Sequence, residues 1–445
     1  MTVDTIGGED ICGAAEARRV LIVSPYFPSS MLAGVHRARH LAKHLPSHGW
    51  WPIVIRVDEA HYTERPDPTL AALVPDSVEQ VRTAALPARL LRFAGIGDIG
   101  LRGYVPIKRA IAKVASIRRP DAILITGSPF YPMLLSAWIK QHLNIPVVLD
   151  FQDPWVSTHG KTLQKWSKGG MVHRLAVIFE PRAVSHADFI TSVSARQNDD
   201  LAARYAWIDR CRMAAIPIGG DPDDFKGGPV GTGSDSEVRL DSGQINLSYV
   251  GTFWPRAAPT VRTLLQSAAA LRKSHPKLAA RLRLNFVGTS GHPNHYDAYR
   301  IRPIAEEEGV ADLVFETPQR VPFLQALHII GNSQGLLLLG SDEPHYTASK
   351  LYPALMSGRP YVSLFHRASS AHSILSQAGG GKALAFEAPE DLASMVTPLS
   401  DVLRTLALDP KSFGKIDPAA YAPYTASAVA RQFAAIFDRL ALSDN

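Results

Sequence analysis

Short apolar runs alternate with helical stripes along the first half of the chain. Residues 19–24 predict a buried strand, an amphipathic helix begins at Gly34, and residues 52–57 predict the next strand. Further strands are predicted at 121–126, 146–151 and 189–194, with helices between them. Strands that alternate with helices are typical of a doubly wound parallel sheet.

The same alternation resumes after residues 223–243, which have no hydrophobic period and predict an interdomain linker. Strands follow at 245–250, 283–287, 312–315, 335–339, 361–365 and 383–386. The sequence therefore predicts an α/β protein of two doubly wound domains, at 18–222 and 244–420, behind a disordered lead at 1–17. A helix within residues 421–445 has one apolar face and is expected to reach back to the first domain.

Candidate ligand-binding residues follow the strands of the first domain, because parallel sheets bind ligands at the carboxyl ends of their strands. Gly34 would let a ligand approach the backbone, and Ser128 follows a strand. Asp153 also follows a strand, and either acts as a general base or caps the next turn. Trp155 would either contact the ligand with its ring or belong to the core.

The helix after Gly34 is crowded with basic side chains, most of which are expected to lie in solvent. His36 and Arg37, in its first turn, are the two that could instead reach a ligand. The crowded positions are His36, Arg37, Arg39, His40, Lys43 and His44.

In the second domain, the stretch 347–360 follows an apolar run and predicts a loop and a short helix. Ser349 is a candidate N-cap, and Lys350 adds a charge to a helix N-terminus that could hold a phosphate. The alternative is an ordinary strand–loop–helix unit with a surface lysine. Arg256 follows another strand end and could complete a diphosphate clamp with Lys350. The backbone at Gly251, Thr252 and Gly288 would border the same ligand.

Composition excludes few classes of function. The chain has 445 residues, a net charge of +6 and two cysteines, which predicts neither a disulfide framework nor a metal site. No apolar run reaches about 18 residues, so a cytoplasmic protein is expected. The basic segment 81–119 could rest on anionic lipid at the inner face of the plasma membrane, although a helix packed on the sheet is slightly favoured. Scattered basic residues disfavour nucleic-acid binding.

In the order and spacing of these segments, the chain resembles the GT-B glycosyltransferases of family 4, as found in bacterial cell-surface polysaccharide assembly. The resemblance spans nearly the whole chain and rests on residues 20–34, 150–155, 180, 187–188, 191–194, 216–221, 249–251, 286–288, 349–352 and 358–360. It implies a nucleotide-sugar donor on the C-terminal domain, an acceptor on the N-terminal domain, and no cofactor or essential metal. With a saccharide acceptor, Trp155 could stack on a sugar ring, unless it belongs to the core.

One departure concerns the paired glutamates that family members carry eight positions apart. Their positions are His345 and Pro353 here, although Glu343 could substitute for the first. Glu343 or His345 would then bind donor sugar hydroxyls. The expected activity is metal-independent transfer of a sugar from a nucleotide diphosphate sugar, UDP being favoured over GDP, to a saccharide or lipid-linked saccharide. The alternatives are a catalytically silent binding subunit and a nucleotide-sugar hydrolase or epimerase.

Overall fold

The computed structural model describes residues 18–64, 66–91, 97–226, 238–290, 297–342 and 350–443. The lead predicted at 1–17 and most of the predicted linker lie outside these residues.

Seven parallel strands form the N-terminal sheet, in the order β3-β2-β1-β4-β5-β6-β7. The strands are β1 (Arg18–Val23), β2 (Trp50–Val57), β3 (Glu79–Thr83), β4 (Ala122–Gly127), β5 (Val147–Phe151), β6 (Phe189–Ser192) and β7 (Met213–Ala215). Around them lie α1 (Val35–His44), α2 (Pro68–Ala71), α3 (Ala88–Leu91), α4 (Ile99–Arg102), α5 (Tyr104–Ile117), α6 (Leu135–His142), α7 (Thr158–Thr162), α8 (Lys168–Val184) and α9 (Ala195–Arg204).

Six parallel strands form the C-terminal sheet, in the order β10-β9-β8-β11-β12-β13. They are β8 (Ile245–Val250), β9 (Leu282–Val287), β10 (Val314–Thr317), β11 (Gly335–Leu339), β12 (Tyr361–His366) and β13 (Gly381–Phe386). The helices are α10 (Ala258–Ser274), α11 (Pro276–Ala279), α12 (Arg302–Glu307), α13 (Phe323–Asn332), α14 (Leu351–Met356), α15 (Ser370–Ala378), α16 (Val396–Leu408), α17 (Pro418–Tyr421) and α18 (Ala426–Ser443).

Two doubly wound parallel sheets are the fold class that the sequence predicts. The main omission is β3, an edge strand that overlaps the start of the basic segment 81–119, because its exposed residues show no clear alternation. The amphipathic helix expected after it is present as α5, which buries Ile107 and Ile111.

The last helix packs on the first domain rather than on the domain that precedes it. Val429, Phe433 and Phe437 of α18 are fully buried in a cluster with Val20 and Trp50. The Trp50 and Phe437 ring centroids are 5.2 Å apart. Burying such aromatic side chains is among the larger stabilising contributions available to a core.

The chain crosses twice between the domains, and the two crossings are hydrogen-bonded to each other. The Gly220 N–H donates to the Tyr424 carbonyl at 3.0 Å, and the Ala426 N–H donates to the Gly220 carbonyl at 2.7 Å. Gly219 has a φ of +73° and lies so near Tyr424 that an added Cβ would be 2.4 Å from its carbonyl oxygen. Both the conformation and the close approach therefore require glycine there.

Candidate functional site

The candidate site lies where the carboxyl ends of strands from the two sheets face each other. On the N-terminal side, the Gln152 side chain after β5 donates from Nε2 to the Gly34 carbonyl at 3.1 Å. A Cβ on Gly34 would lie 3.5 Å from the carbonyl oxygen of Ser128, which follows β4. The loops after β1, β4 and β5 therefore meet at one place, as the positions of Gly34, Ser128 and Asp153 predict.

Lys350 occupies the C-terminal side of the same region, immediately before α14. A Cβ on Gly251, at the end of β8, would lie 3.6 Å from Lys350 Cγ. Burial, together with the nearby Arg320 guanidinium, lowers the pKa of Lys350 to about 8. An anion beside this ammonium group would favour its charged form, which burial and Arg320 disfavour.

Phe323, the first residue of α13, connects the two sides. Its ring centroid lies 4.3 Å from that of His36 and 5.6 Å from Lys350 Nζ. The Phe323 N–H donates to Asp67 Oδ2 at 3.0 Å, and the neighbouring Arg320 donates to the Met31 carbonyl at 3.1 Å. Sequence reasoning missed Phe323 and Asp67, since an isolated aromatic and an Asp-Pro pair carry no binding signature.

The basic face of α1 is not solvated, which corrects the expectation for that helix. Arg37 is fully buried, pairs with Asp150 at 3.1 Å and donates to the carbonyls of Ile216 and Pro217. It therefore holds β5 and the interdomain crossing, and its side chain is not available to bind an acceptor.

Arg39 is also buried and makes two hydrogen bonds to the Asp224 carboxylate, at 2.7 and 2.6 Å. Lys43 and His44 each reach Asp221 Oδ2 at 2.8 Å. The two aspartates, Asp221 and Asp224, lie where the chain leaves the first domain. Their negative charges were the one feature of the sequence that could have indicated acidic partners for α1. The basic residues of α1 thus attach the first domain to the crossing.

Two histidines on α1 are neutral in this environment. Burial, with Arg39 and His40 nearby, lowers the pKa of His36 well below its usual range. Burial and Arg39 do the same for the pKa of His40, whose Nε2 lies 2.8 Å from the Arg39 guanidinium. Of the two, His36 lies beside Phe323 and close enough to Lys350 for its charge to contribute, so it stays a candidate ligand-binding residue.

Asp153 and Trp155 have different environments although they are two residues apart. The Asp153 side chain is exposed at the surface, yet the surrounding protein partly desolvates its carboxyl group and so raises its pKa. Trp155 is only 8 % exposed and stacks on Phe130, with ring centroids 5.3 Å apart. Trp155 is therefore a core residue, and the interpretation as a sugar-stacking platform is wrong, since the side chain is buried and already stacked on Phe130.

The remaining donor-side candidates are placed as follows. Gly288 has a φ of +80° and would meet no atom within 4 Å of an added Cβ, so the strand end there is open to a ligand. The Thr252 carbonyl accepts a hydrogen bond from the Tyr249 hydroxyl at 3.0 Å. Arg256 is exposed and pairs with Asp342 at 2.7 Å, which is a different arrangement from the predicted clamp with Lys350. Glu343, His345 and Ser349 lie outside the described residues.

A cavity of about 40 Å³ lies at the seam between the domains. Such a volume holds a few water molecules, so a larger ligand at this place requires the domains to separate. Its lining comes from both domains and from the first crossing: Ala33, His36, His40, Ile218, Gly219, Gly220, Asp221, Asp224, Phe225, Phe323, Leu327, Lys350 and Pro353. Within the described ranges, His, Cys, Asp and Glu side chains form no group that could hold a metal ion.

Residues 33–219 match the family model of the glycosyl transferase 4-like domain. The match lies within the first domain and covers less than half of the chain. It contains Gly34, Ser128 and Asp153 and ends at Gly219, where the chain leaves the first domain. The resemblance to family 4 glycosyltransferases is thereby confirmed.

One curated relative of the chain is the D-inositol 3-phosphate glycosyltransferase of Stackebrandtia nassauensis. It is 28 % identical over 138 residues, which are 31 % of this chain and 30 % of the relative. The chain therefore matches less than a third of that protein's length.

Solved structures share the complete two-domain arrangement. HepE from Anabaena in complex with UDP and glucose has a TM-score of 0.56 at 12 % identity, over 95 % of this chain and 100 % of that one. A glycosyltransferase from Rickettsia africae has a TM-score of 0.58 at 16 % identity, over 97 % of this chain and 100 % of that one. The sucrose-phosphate synthase of Thermosynechococcus elongatus has a TM-score of 0.54 at 14 % identity, over 96 % and 97 %. The glycosyl transferase 4-like domain is thus one half of a GT-B fold, as predicted.

Proposed function

We propose that the protein is a metal-independent glycosyltransferase that uses a nucleotide diphosphate sugar, with UDP favoured over GDP. The acceptor would be a saccharide or a lipid-linked saccharide in cell-surface polysaccharide or glycoconjugate synthesis, at the cytoplasmic side of the membrane. The observation that carries the proposal is Lys350, a half-buried cation beside Gly251 that faces His36 of the glycosyl transferase 4-like domain. Support for UDP comes from the structural relatives that hold UDP and UDP-glucose.

In the proposed reaction, the bond between the anomeric carbon and the diphosphate oxygen breaks, and its electron pair stays on the diphosphate. Lys350 would stabilise that developing charge, as preorganised cations do in low-dielectric sites. The open strand ends at Gly251 and Gly288 would let the donor approach the backbone. Arg256 would stabilise the same charge after it releases Asp342 and binds the diphosphate instead.

Asp153 is the proposed base on the acceptor side. The acceptor hydroxyl oxygen would bond to the anomeric carbon while its proton passes to the Asp153 carboxylate. The raised pKa of this carboxyl group brings it nearer the operating pH, which favours proton transfer. Its place after β5, beside the loop that contains Gly34, puts it in the N-terminal half of the cleft.

Thermal unfolding with UDP, GDP, dTDP, ADP and CMP tests the donor site. A ligand at 100 times its dissociation constant should stabilise the protein by about 2.7 kcal/mol. We expect UDP to stabilise the wild type and to have little effect on Lys350→Ala. Lys382→Ala, which removes an exposed lysine on β13, is the matched control and should keep the full shift. A shift that Lys350→Ala retains would exclude Lys350 as the diphosphate ligand.

One observation favours a second candidate, a catalytically silent nucleotide- or sugar-binding subunit. Pro353 lines the interdomain cavity at the position where family members carry a glutamate. Incubation with UDP-sugars and membrane glycolipid extracts, in EDTA, separates the candidates. Sugar transfer with release of UDP supports the transferase, whereas tight UDP binding without turnover supports the silent subunit. Free sugar or an epimer formed without acceptor would indicate a hydrolase or epimerase.

A further inference from the structure

The surface of α8 is unusually apolar for a face open to solvent. In the described part of the chain, sixteen large apolar side chains are exposed, and six of them lie between residues 166 and 178. Trp166 is 80 % exposed, the largest fraction among them. The six are Trp166, Met171, Val172, Leu175, Val177 and Ile178. Single exposed apolar residues need no explanation, but such a concentration indicates an interaction surface.

Helical geometry places three of these residues opposite the face that packs on the domain. Met171, Leu175 and Ile178 follow one another at spacings of four and three, so they form one stripe. The buried positions of α8 lie on the other side, at Gly170, Ala176, Glu180, Ala183 and Val184. The exposed stripe is therefore not a continuation of the core.

The charged residues around this stripe are all basic. No Asp or Glu occurs between Asp153 and Glu180, and Glu180 itself is buried and paired with Arg204 at 2.9 Å. The Arg174 guanidinium lies 5.1 Å from the centre of the exposed Trp166 ring. The exposed basic side chains are Lys161, Lys165, Lys168, Arg174 and Arg182.

The surface begins immediately beyond the acceptor side of the cleft. Asp153 lies in the turn after β5. Helix α7 begins five residues later and packs on α8. Tyr131, in the turn after β4, contacts Phe179 of α8 with ring centroids 6.1 Å apart. A partner held by this surface would thus lie next to the N-terminal half of the cleft.

We propose that the α8 surface, defined as residues 161–182, docks on an anionic phospholipid bilayer. Apolar side chains flanked by Lys and Arg match the boundary between acyl chains and negative headgroups, and tryptophan is favoured there. No helix in the described ranges is long and apolar enough to span a bilayer, so this would be peripheral contact. A symmetric pairing of two copies would place the basic residues of one surface against those of the other, which opposes association.

The test is flotation of the full chain with vesicles of phosphatidylcholine alone or mixed three to one with phosphatidylglycerol. We expect binding to the mixed vesicles only, and weaker binding at high salt. Each basic residue near an anionic surface contributes roughly a fivefold change in binding, so Lys165→Glu/Lys168→Glu/Arg174→Glu should weaken binding at least about a hundredfold. Met171→Gln/Leu175→Gln/Ile178→Gln should also weaken it, because the buried apolar contact is lost.

The matched control is Arg109→Glu/Lys113→Glu/Arg119→Glu, which reverses three exposed charges in and beside α5. It should change binding by no more than about twofold. An equal loss in this control would overturn the proposal in favour of the segment around α5. The proposal would also be overturned if the wild type bound equally to vesicles with and without phosphatidylglycerol. A dimer of the wild type in light scattering that becomes monomeric in Met171→Gln/Leu175→Gln/Ile178→Gln would overturn it as well. Flotation needs no turnover, so its failure would leave the proposed transferase function untouched.

Discussion

The two oxygens of the Asp67 carboxylate serve different domains, and Oδ2 accepts the Phe323 N–H across the cleft at 3.0 Å. The other oxygen, Oδ1, accepts the N–H of Thr69 at 3.0 Å and caps α2 within the first domain. The negative charge also lies at the N-terminus of α13, where the helix dipole favours it. Asp67 is therefore a direct link that holds the domains together on the side of Phe323.

Asp67→Asn separates these two roles. An asparagine keeps one oxygen for the α2 cap, but its amide NH2 group would face the Phe323 N–H, and two donors repel each other. We expect a lower fraction of closed molecules and a larger radius of gyration in small-angle X-ray scattering. The lost bond to a charged acceptor should cost the closed state about 1.5–3 kcal/mol.

Asp67→Ser is the control that retains a capping oxygen without placing a donor amide opposite Phe323. It should open the cleft less than Asp67→Asn does. Equal scattering curves for the wild type and Asp67→Asn would show that the hydrogen bond does not hold the domains closed.

The affinity for UDP should fall as pH rises through about 8, the value to which burial and Arg320 lower the pKa of Lys350. Below this pH the side chain is already charged, whereas above it binding of the diphosphate must take up a proton. The apparent dissociation constant should then rise by up to about tenfold per pH unit. Calorimetry in buffers of different ionisation enthalpy measures the proton uptake directly.

Lys350→Arg serves as the control for this pH dependence, since arginine stays charged throughout the range. A UDP affinity that declines identically in wild type and Lys350→Arg would assign the titration to another group, such as the nucleotide itself.

Two neutral histidines predict a loss of stability in mild acid. Below the ordinary value of 6.5, the unfolded chain protonates at His36 and His40 while burial and Arg39 keep both neutral in the folded protein. The unfolded state then binds more protons, so the free energy of unfolding falls as pH decreases, by up to about 1.4 kcal/mol per histidine and pH unit. Urea unfolding between pH 7 and 5 checks the slope, which should be smaller in His40→Gln.

The fully buried pair of Arg37 and Asp150 predicts a strong effect on stability. Arg37→Met leaves the carboxylate buried without its cation and should cost about 3–5 kcal/mol of unfolding free energy. Asp150→Asn should cost less, because Arg37 keeps the carbonyls of Ile216 and Pro217 as partners. In a double-mutant cycle, the loss in the double variant should be well below the sum of the single losses; additive losses would argue against a direct interaction.

The sequence was a good guide to the fold because buried parallel strands are continuous apolar runs. Residues 335–339 were predicted to the residue as β11, and 245–250 as β8. The edge strand β3 was missed because one side of it lacks a neighbouring strand and its side chains are largely exposed. Periodicity reports burial, so it is weakest where burial is incomplete.

Site residues were harder to predict, since a residue type does not reveal its partners. Arg37 and Lys350 are both cations near helix starts, yet Arg37 is bound to Asp150 and two carbonyls while Lys350 faces the cleft. Trp155 stacks on Phe130, a contact between loops more than twenty residues apart. Such tertiary pairings decide function, and no local pattern encodes them.

The order of synthesis has a consequence for how the protein reaches its native state. The first domain emerges first, but Val20 and Trp50 belong to a cluster that is completed only by Val429, Phe433 and Phe437. That domain would keep an apolar face uncovered throughout translation of the second domain, in a form vulnerable to aggregation. We expect chains stalled before α18 to be captured by chaperones and degraded, so α18 would show that translation has passed the second domain.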